Sequence, residues 1–315
     1  MGYRIVLILL LVCSNAANAQ QDDRHLITVR NLSKVLWQAM HGDANAQTRV
    51  GFAYERGIVV KQDSSEAARW FSLAASRSAI AEYNLGVLKL YGRGVQQNRD
   101  EALALFERAA VAGLAEAQFN AAVLYQHGTV GPQNFGRALD LYHEAARAGF
   151  ARAQTNLGQM YLEGEGVQED DALGAYWSAQ AAKRGDAVGE FNLALLYLRG
   201  KGVPRDRAKA AKWFQLSAEQ GHSGAQANLC SLYKDGRGLV HDLEAAYVWC
   251  SLSLNHGDNP TQVGKLEELS AAMSPTELES AERKVSEWLA RHKSTQVEDS
   301  AHNTDAIKII TQHKP

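Results

Sequence analysis

The stretch Ala153-Gln154-Thr155-Asn156-Leu157-Gly158-Gln159-Met160-Tyr161, then Gly164-Glu165-Gly166-Val167, then Asp170, Trp177, Ala181-Ala182 and Gly185, returns along the whole chain. Glycines stand at Gly57, Gly92, Gly128, Gly164, Gly200 and Gly236, spaced 35, 36, 36, 36 and 36. A second series, Ser78, Gly113, Gly149, Gly185, Gly221 and Gly257, keeps the same spacings. Six units follow, 44–78, 79–114, 115–150, 151–186, 187–222 and 223–258, covering 215 of 315 residues. Such a period marks a repeat whose single unit cannot bury its apolar faces and must stack on its neighbours.

Each unit reads as two helices. In the first half Val50, Leu85, Ala121, Leu157, Leu193 and Leu229 are followed by the small residues Gly51, Gly86, Ala122, Gly158, Ala194 and Cys230. Three positions on come Tyr54, Tyr125, Tyr161, Tyr197 and Tyr233, with Lys89 the exception. Large, small and aromatic at i, i+1 and i+4 share one helical face, which a partner helix approaches closely at the small position. The glycine after this face is a left-handed cap. The second half opens on Asp63, Asn98, Asn134, Asp170, Asp206 and Asp242, an N-cap column. Ala67, Ala102, Ala138, Gly174, Ala210 and Ala246 follow, then Trp70, Leu105, Leu141, Trp177, Trp213 and Trp249, on a second helix packed antiparallel to the first. The expected fold is all-α, a solenoid of stacked antiparallel helix pairs.

The flanks read as caps. Residues 20–43 hold an N-terminal capping helix, with Leu32, Val35, Leu36 and Ala39 at helical spacing. Residues 259–291 hold C-terminal capping helices, in which Ser274-Pro275-Thr276-Glu277 forms a capping box with Pro at the first helical position. The tail 292–315 is polar apart from Ile307, Ile309 and Ile310, and is read as mobile, the isoleucines being alternatively a docking segment. At the other end, Met1 to Ala19 has the form of a signal peptide: Arg4, an apolar run from Ile5 to Val12, and the small-x-small site Ala17-Asn18-Ala19. Cleavage after Ala19 and export to the periplasm are expected. Val12 before Cys13 does not fit a lipoprotein signal.

Lys plus Arg number 33 against 35 Asp plus Glu, a net charge of −2 that becomes −3 once Arg4 is removed with the signal. That balance excludes a general phosphate-backbone binder, and no nucleic acid is expected as partner. The mature chain keeps Cys230 and Cys250. An oxidising compartment permits a disulfide between them, and the alternative is two buried helical thiols packed as small apolar groups. No later run of 18 apolar residues is present, so no stable membrane insertion is expected after cleavage.

These residues resemble Sel-one-like repeats, relatives of tetratricopeptide repeats, over about two thirds of the chain. The resemblance implies a right-handed superhelical solenoid used for protein–protein contact, and it implies no reaction. Two turns depart from the pattern: Gly57-Ile58-Val59 lacks the second glycine, and Gly128-Thr129-Val130-Gly131-Pro132 is displaced. The cysteine-rich secreted members linked to cell-wall compounds are a poor match, since one unit alone has two cysteines.

Catalytic patterns are absent: no HExxH, CxxC, Walker loop or EF-hand, and Gly221-His222-Ser223-Gly224-Ala225 lacks the spacing of a nucleophile elbow. No enzyme, cofactor or metal site is expected, the ten histidines being scattered. The column Asn84, Asn120, Asn156, Asn192 and Asn228 is read as structural, its amides bonding backbone between repeats.

In related solenoids the first helices line the concave surface, and the resemblance places the partner there. The expected partner-binding residues are Tyr83, Val87, Leu90, Tyr91, Phe119, Val123, Gln126, His127, Arg152, Thr155, Gln159, Leu162, Phe191, Leu195 and Leu198. Their aromatic and aliphatic character suits recognition. Packing between successive first helices is the competing explanation. The expected function is a periplasmic adaptor or regulator holding a protein or peptide. The alternatives are an immunity protein against a periplasm-delivered toxin, a peptidoglycan or carbohydrate binder, and a component of an envelope machine.

Overall fold

The structure is a computed structural model and describes residues 27–255 and 260–292. The signal-peptide reading of 1–19 and the tail beyond His292 lie outside the described residues. The chain divides into two compact units at Asn134/Phe135. All regular structure among the described residues is helical.

In the first unit a short helix, α1 (Leu32–Met40), precedes the first helices α2 (Ala44–Arg56), α4 (Ala79–Tyr91) and α6 (Ala115–His127). The second helices here are α3 (Ser64–Ala74), which runs on into a 3-10 turn, and α5 (Arg99–Val111). The second unit alternates α7 (Phe135–Arg147), α8 (Ala151–Glu163), α9 (Asp171–Lys183), α10 (Ala187–Arg199), α11 (Arg207–Glu219), α12 (Ser223–Asp235) and α13 (Leu243–Leu254). It closes with α14 (Pro260–Ala272) and α15, residues 275–292. Among the described residues no helix is long and apolar enough to cross a membrane.

The helix ends follow from residue type. Asp63, Asn98, Asp170, Asp206 and Asp242 each accept a backbone N–H of the first turn of the second helix. The cap glycines Gly57, Gly92, Gly128, Gly164, Gly200 and Gly236 lie at φ between 59° and 75°, where a side chain is strained. At the C-terminal end the Ser274 N–H donates to Glu277 and the Glu277 N–H donates to the Ser274 hydroxyl, the reciprocal pair of a capping box.

The second glycine of each turn is a contact point. A Cβ at Gly94 would lie 2.2 Å from Ser64, and one at Gly202 would lie 2.0 Å from Asp171. Each turn therefore rests on the first turn of the preceding repeat's second helix, at a distance only glycine allows. The first repeat has no preceding second helix, and there Val59 takes the position at φ 67°. In the third repeat the positive φ moves one residue on, to Gly131, whose Cβ would meet nothing within 4 Å. That turn does not dock as the others do.

Within each repeat the small column receives a ring from the second helix. A Cβ at Gly51 would fall 2.5 Å from Phe71, and one at Gly86 2.8 Å from Phe106. Phe71, Phe106 and Phe214 are wholly buried. In the sixth repeat the same pair of positions holds Cys230 and Cys250, 20 residues apart, and the two are joined by a disulfide. Of the two alternatives the sequence left open, the disulfide is the one found and the two free buried thiols are not: α12 and α13 meet closely enough at this column for a covalent bond.

A column unremarked in the sequence ties one repeat to the one before. Gln47, Gln118, Gln154 and Gln226 are buried, and each Nε2 donates to the carbonyl oxygen eight residues earlier, at Ala39, Ala110, Ala146 and Ala218, over 2.9–3.3 Å. These carbonyls end the preceding second helix, or α1, and already accept the N–H of the glycine three residues on; the glutamine amide is a second donor that ties the next first helix to that end. Glu82 and Glu190 hold the column in the other two repeats. Glu82 pairs with Arg108 at 2.7 Å, whereas Glu190, 4% exposed, accepts from Gln220 at 2.8 Å. The asparagine column acts differently from expectation. Asn84 and Asn228 donate to carbonyls four residues back in their own helices, while Asn120 and Asn156 donate to the hydroxyls of Tyr83 and Tyr142.

Candidate partner-binding surface

In the first unit the relevant faces belong to α2, α4 and α6. Tyr83, Val87, Tyr91, Phe119, Val123 and Gln126 are half-buried and His127 is exposed. Ile80, one turn before Tyr83, is 48% exposed. Tyr83 leans on Phe106 with ring centres 5.7 Å apart, and the Arg93 guanidinium lies 5.9 Å from the Tyr91 ring. Leu90 departs from expectation: it is buried, because it turns inward from the last turn of α4.

In the second unit Arg152 and Gln159 are exposed, and Gln159 donates to Glu163 on the same helix. Thr155 is buried, and its hydroxyl donates to the Asp186 carboxylate at 2.7 Å, so it joins repeats and offers nothing to a partner. Leu162 is half-buried and fills the space over Gly174, where a Cβ would come 2.5 Å from it. Val188 is 44% exposed, and half-buried Phe191, Leu195 and Leu198 lie over the cluster of Ala210, Phe214, Leu229 and Leu232.

Phe191 has a specific partner. Its ring stacks on His222 at 4.4 Å, and His222 Nδ1 accepts the Ala225 N–H at 3.2 Å as the N-cap of α12. Burial pushes the His222 pKa below its ordinary value, against the opposing pull of a hydrogen bond to its own backbone and, more weakly, of Asp186. Asp43, Ser78 and Asp186 cap first helices from the same place in their repeats. The Ser78 cap receives Thr48 as the Asp186 cap receives Thr155. The column of Thr48, Thr155 and Phe191 therefore faces the next repeat's cap. Packing accounts for it, and the open part of each face is the next turn of the helix: Val87, Val123, Leu195 and Leu198, with Ile80 and Val188.

A cleft of about 620 Å³ between α13 and α15 is lined by Trp249, Trp288, Asp242, Lys284 and Glu287. One Trp288 face is covered by His292, stacked at 3.7 Å. Among the described residues no group of three metal-ligating side chains comes together.

Stacked helix pairs carrying a half-open apolar face define a helical repeat scaffold of the kind used for protein–protein contact. The chain belongs to the Sel1 repeat family, which matches residues 44–78, 79–114, 115–150, 151–186, 187–222 and 223–258. It is similar to a Sel1 repeat protein from Oxalobacter formigenes, at 28% identity and a TM-score of 0.64, over 71% of this chain and 93% of that one. It shares its fold with c5321, a protective antigen of uropathogenic Escherichia coli strains, at 22% identity and a TM-score of 0.55, over 87% of this chain and 67% of that one. The immunity protein Pa5087 from Pseudomonas aeruginosa matches at 22% identity and a TM-score of 0.43, over 67% of this chain and 81% of that one. No curated protein matches the sequence.

Proposed function

We propose that this protein is an exported, non-enzymatic adaptor or regulator that holds a protein or peptide partner against the open faces of its first helices. The observation that carries the reading is, in the second unit, the 44% exposure of Val188 with half-buried Leu195 and Leu198 on the same helix, and, in the first unit taken by itself, the 48% exposure of Ile80 with half-buried Val87 and Val123. Apolar side chains left half-open on a helix face suit a partner that completes their burial. The Cys230–Cys250 disulfide supports export, because such bonds persist in oxidising compartments such as the periplasm.

The test is affinity capture from native periplasm with the mature chain and with a Val188→Ser/Leu195→Ser/Leu198→Ser variant. A stoichiometric protein that is lost with the variant, while the variant stays folded with the modest drop in Tm that trimming two half-buried leucines brings, is the expected result. Its identity separates a toxin from a regulated enzyme or an envelope component. If wild type and variant retain the same proteins equally, the face is not the binding site. Phe191 and Thr155 are unsuitable probes, since both join repeats.

A further inference from the structure

The joint between the fifth and sixth repeats differs by one atom type from the other first-helix starts that carry a side-chain cap, Leu114 and Phe150 having none. Asp43, Ser78 and Asp186 cap their helices with oxygen, which keeps a lone pair at every pH above the carboxylate range. His222 caps α12 with Nδ1. To accept the Ala225 N–H the imidazole must be neutral, with its proton on Nε2. Protonation puts a hydrogen on Nδ1, turns acceptor into donor, and sets it against the amide it was capping.

The ring also cannot move aside freely. Its face lies on Phe191 at 4.4 Å and 26°, and Gly224 is the residue that lets it in, since a Cβ there would meet His222 at 3.1 Å and Phe191 at 3.2 Å. The charged groups around it are few. Asp186, ahead of α10, favours the imidazolium but is already engaged by Thr155 and the Gly189 N–H. Glu190 on α10 is bonded to Gln220, and Glu219 ends α11. The first turn of α12 has no acidic residue, and on the far side Trp288 of α15 approaches Gly221. The ring's own backbone carbonyl and, more weakly, Asp186 favour the charged form, and burial outweighs both.

We propose that His222 is an acid-responsive latch: its protonation uncaps α12 and loosens the contact of Ser223–Gln226 with Phe191, opening the joint between the fifth and sixth repeats. The device concerns the joint itself and stands whichever partner uses the face. It places an acid-sensitive point beside Leu195 and Val188, so that a drop in external pH is felt at the second unit's open surface.

The experiment follows the His222 ring by NMR titration of the mature chain, together with hydrogen exchange of the Ala225 amide corrected for intrinsic rates. The expected midpoint lies below 6.5, with Ala225 protection falling about fivefold on the same midpoint, the usual worth of a cap. His222→Asn, which caps with oxygen, should show no such fall between pH 7 and 5. Phe191→Leu, which removes the stack, should move the midpoint up towards 6.5. A wild-type midpoint at or above 6.5, protection that ignores pH, or an equal fall in His222→Asn would overturn the latch. Should His222→Asn fail to fold, the Phe191→Leu midpoint decides alone, and no upward move counts against the proposal.

Discussion

Replacing Glu190 by Gln should stabilise the protein, and by an amount that depends on pH. Glu190 is 4% exposed and stands in a column where Gln47, Gln118, Gln154 and Gln226 donate to the alanine carbonyl eight residues back. A carboxylate cannot donate. It accepts one bond from Gln220, and burial, with Asp186 and Glu219 nearby, pushes its pKa above the ordinary range. Glutamine at 190 would place an amide against the Ala182 carbonyl and remove a desolvated charge. One added net hydrogen bond and the relief of that burial, less the bond from Gln220, amount to about 1 kcal/mol. For a protein of this size that is a rise in Tm of about 2–4 °C. The sign with pH follows from linkage: a raised folded pKa means the ionised form weakens the fold above it, while below the unfolded value near 4.5 the group is protonated in both states. The gain should therefore be full at pH 7 and shrink as pH falls towards 4.5. Differential scanning calorimetry at pH 7, 6 and 5 checks it. A variant no more stable than wild type at pH 7, or one with the same gain at every pH, would refute the assignment. Glu82→Gln is the control: it loses the 2.7 Å pair with Arg108 and should gain nothing.

Reducing the Cys230–Cys250 bond, or replacing both cysteines by alanine, should lower stability by about 3 kcal/mol for a loop closed over 20 residues, read as a lower Tm under reducing agent; thiol titration that finds two free thiols in the native exported protein would contradict the bond. Gly202→Ala should destabilise severely, by more than about 3 kcal/mol, because its Cβ would sit 2.0 Å from the Asp171 carbonyl oxygen at φ 68°. Gly131→Ala, at the same φ but with open space around it, should cost only the left-handed backbone term of about 1–2 kcal/mol. Equal losses in chemical denaturation would mean that the turns do not dock as described.

The helices, their cap glycines, the Asx caps and the capping box at Ser274 were all legible in the sequence, since each is decided by residue type at fixed spacing within one turn of helix. What was missed or left open depends on pairs far apart in sequence. The disulfide is an example: the partner of the small column lies 20 residues on, at Phe71, Phe106, Phe214 and Cys250, one place beyond the tryptophan column. Pairing Gly51 with Phe71 and Gly86 with Phe106 as a glycine-and-ring contact would have put Cys230 opposite Cys250. The Gln and Glu column was equally available, with alanine eight residues before every member, but nothing local marks a glutamine as a bond to the previous repeat. Leu90 and Thr155 were misplaced because a helix shows its face by period alone, and period does not say where the neighbouring turn cuts across it.

That last point bears on how the function is read. Phe191 looks like a recognition aromatic and Thr155 like a modest polar contact, yet both sit in one column and each meets the cap of the next first helix: Thr155 with Asp186, Phe191 with His222. The pairings are chemically matched, a hydroxyl donor where the cap is a carboxylate and a ring where the cap is an imidazole. An aromatic there is explained by its cap before any partner is invoked, so aromatic content is poor evidence for a groove in this fold. Leu195 and Leu198 have no such cap to meet, and Val188 remains 44% exposed at the start of the same helix. If a partner binds the second unit, these aliphatic positions should decide its affinity, and substituting Phe191 should act through the α12 joint, with a loss of stability that precedes any loss of binding.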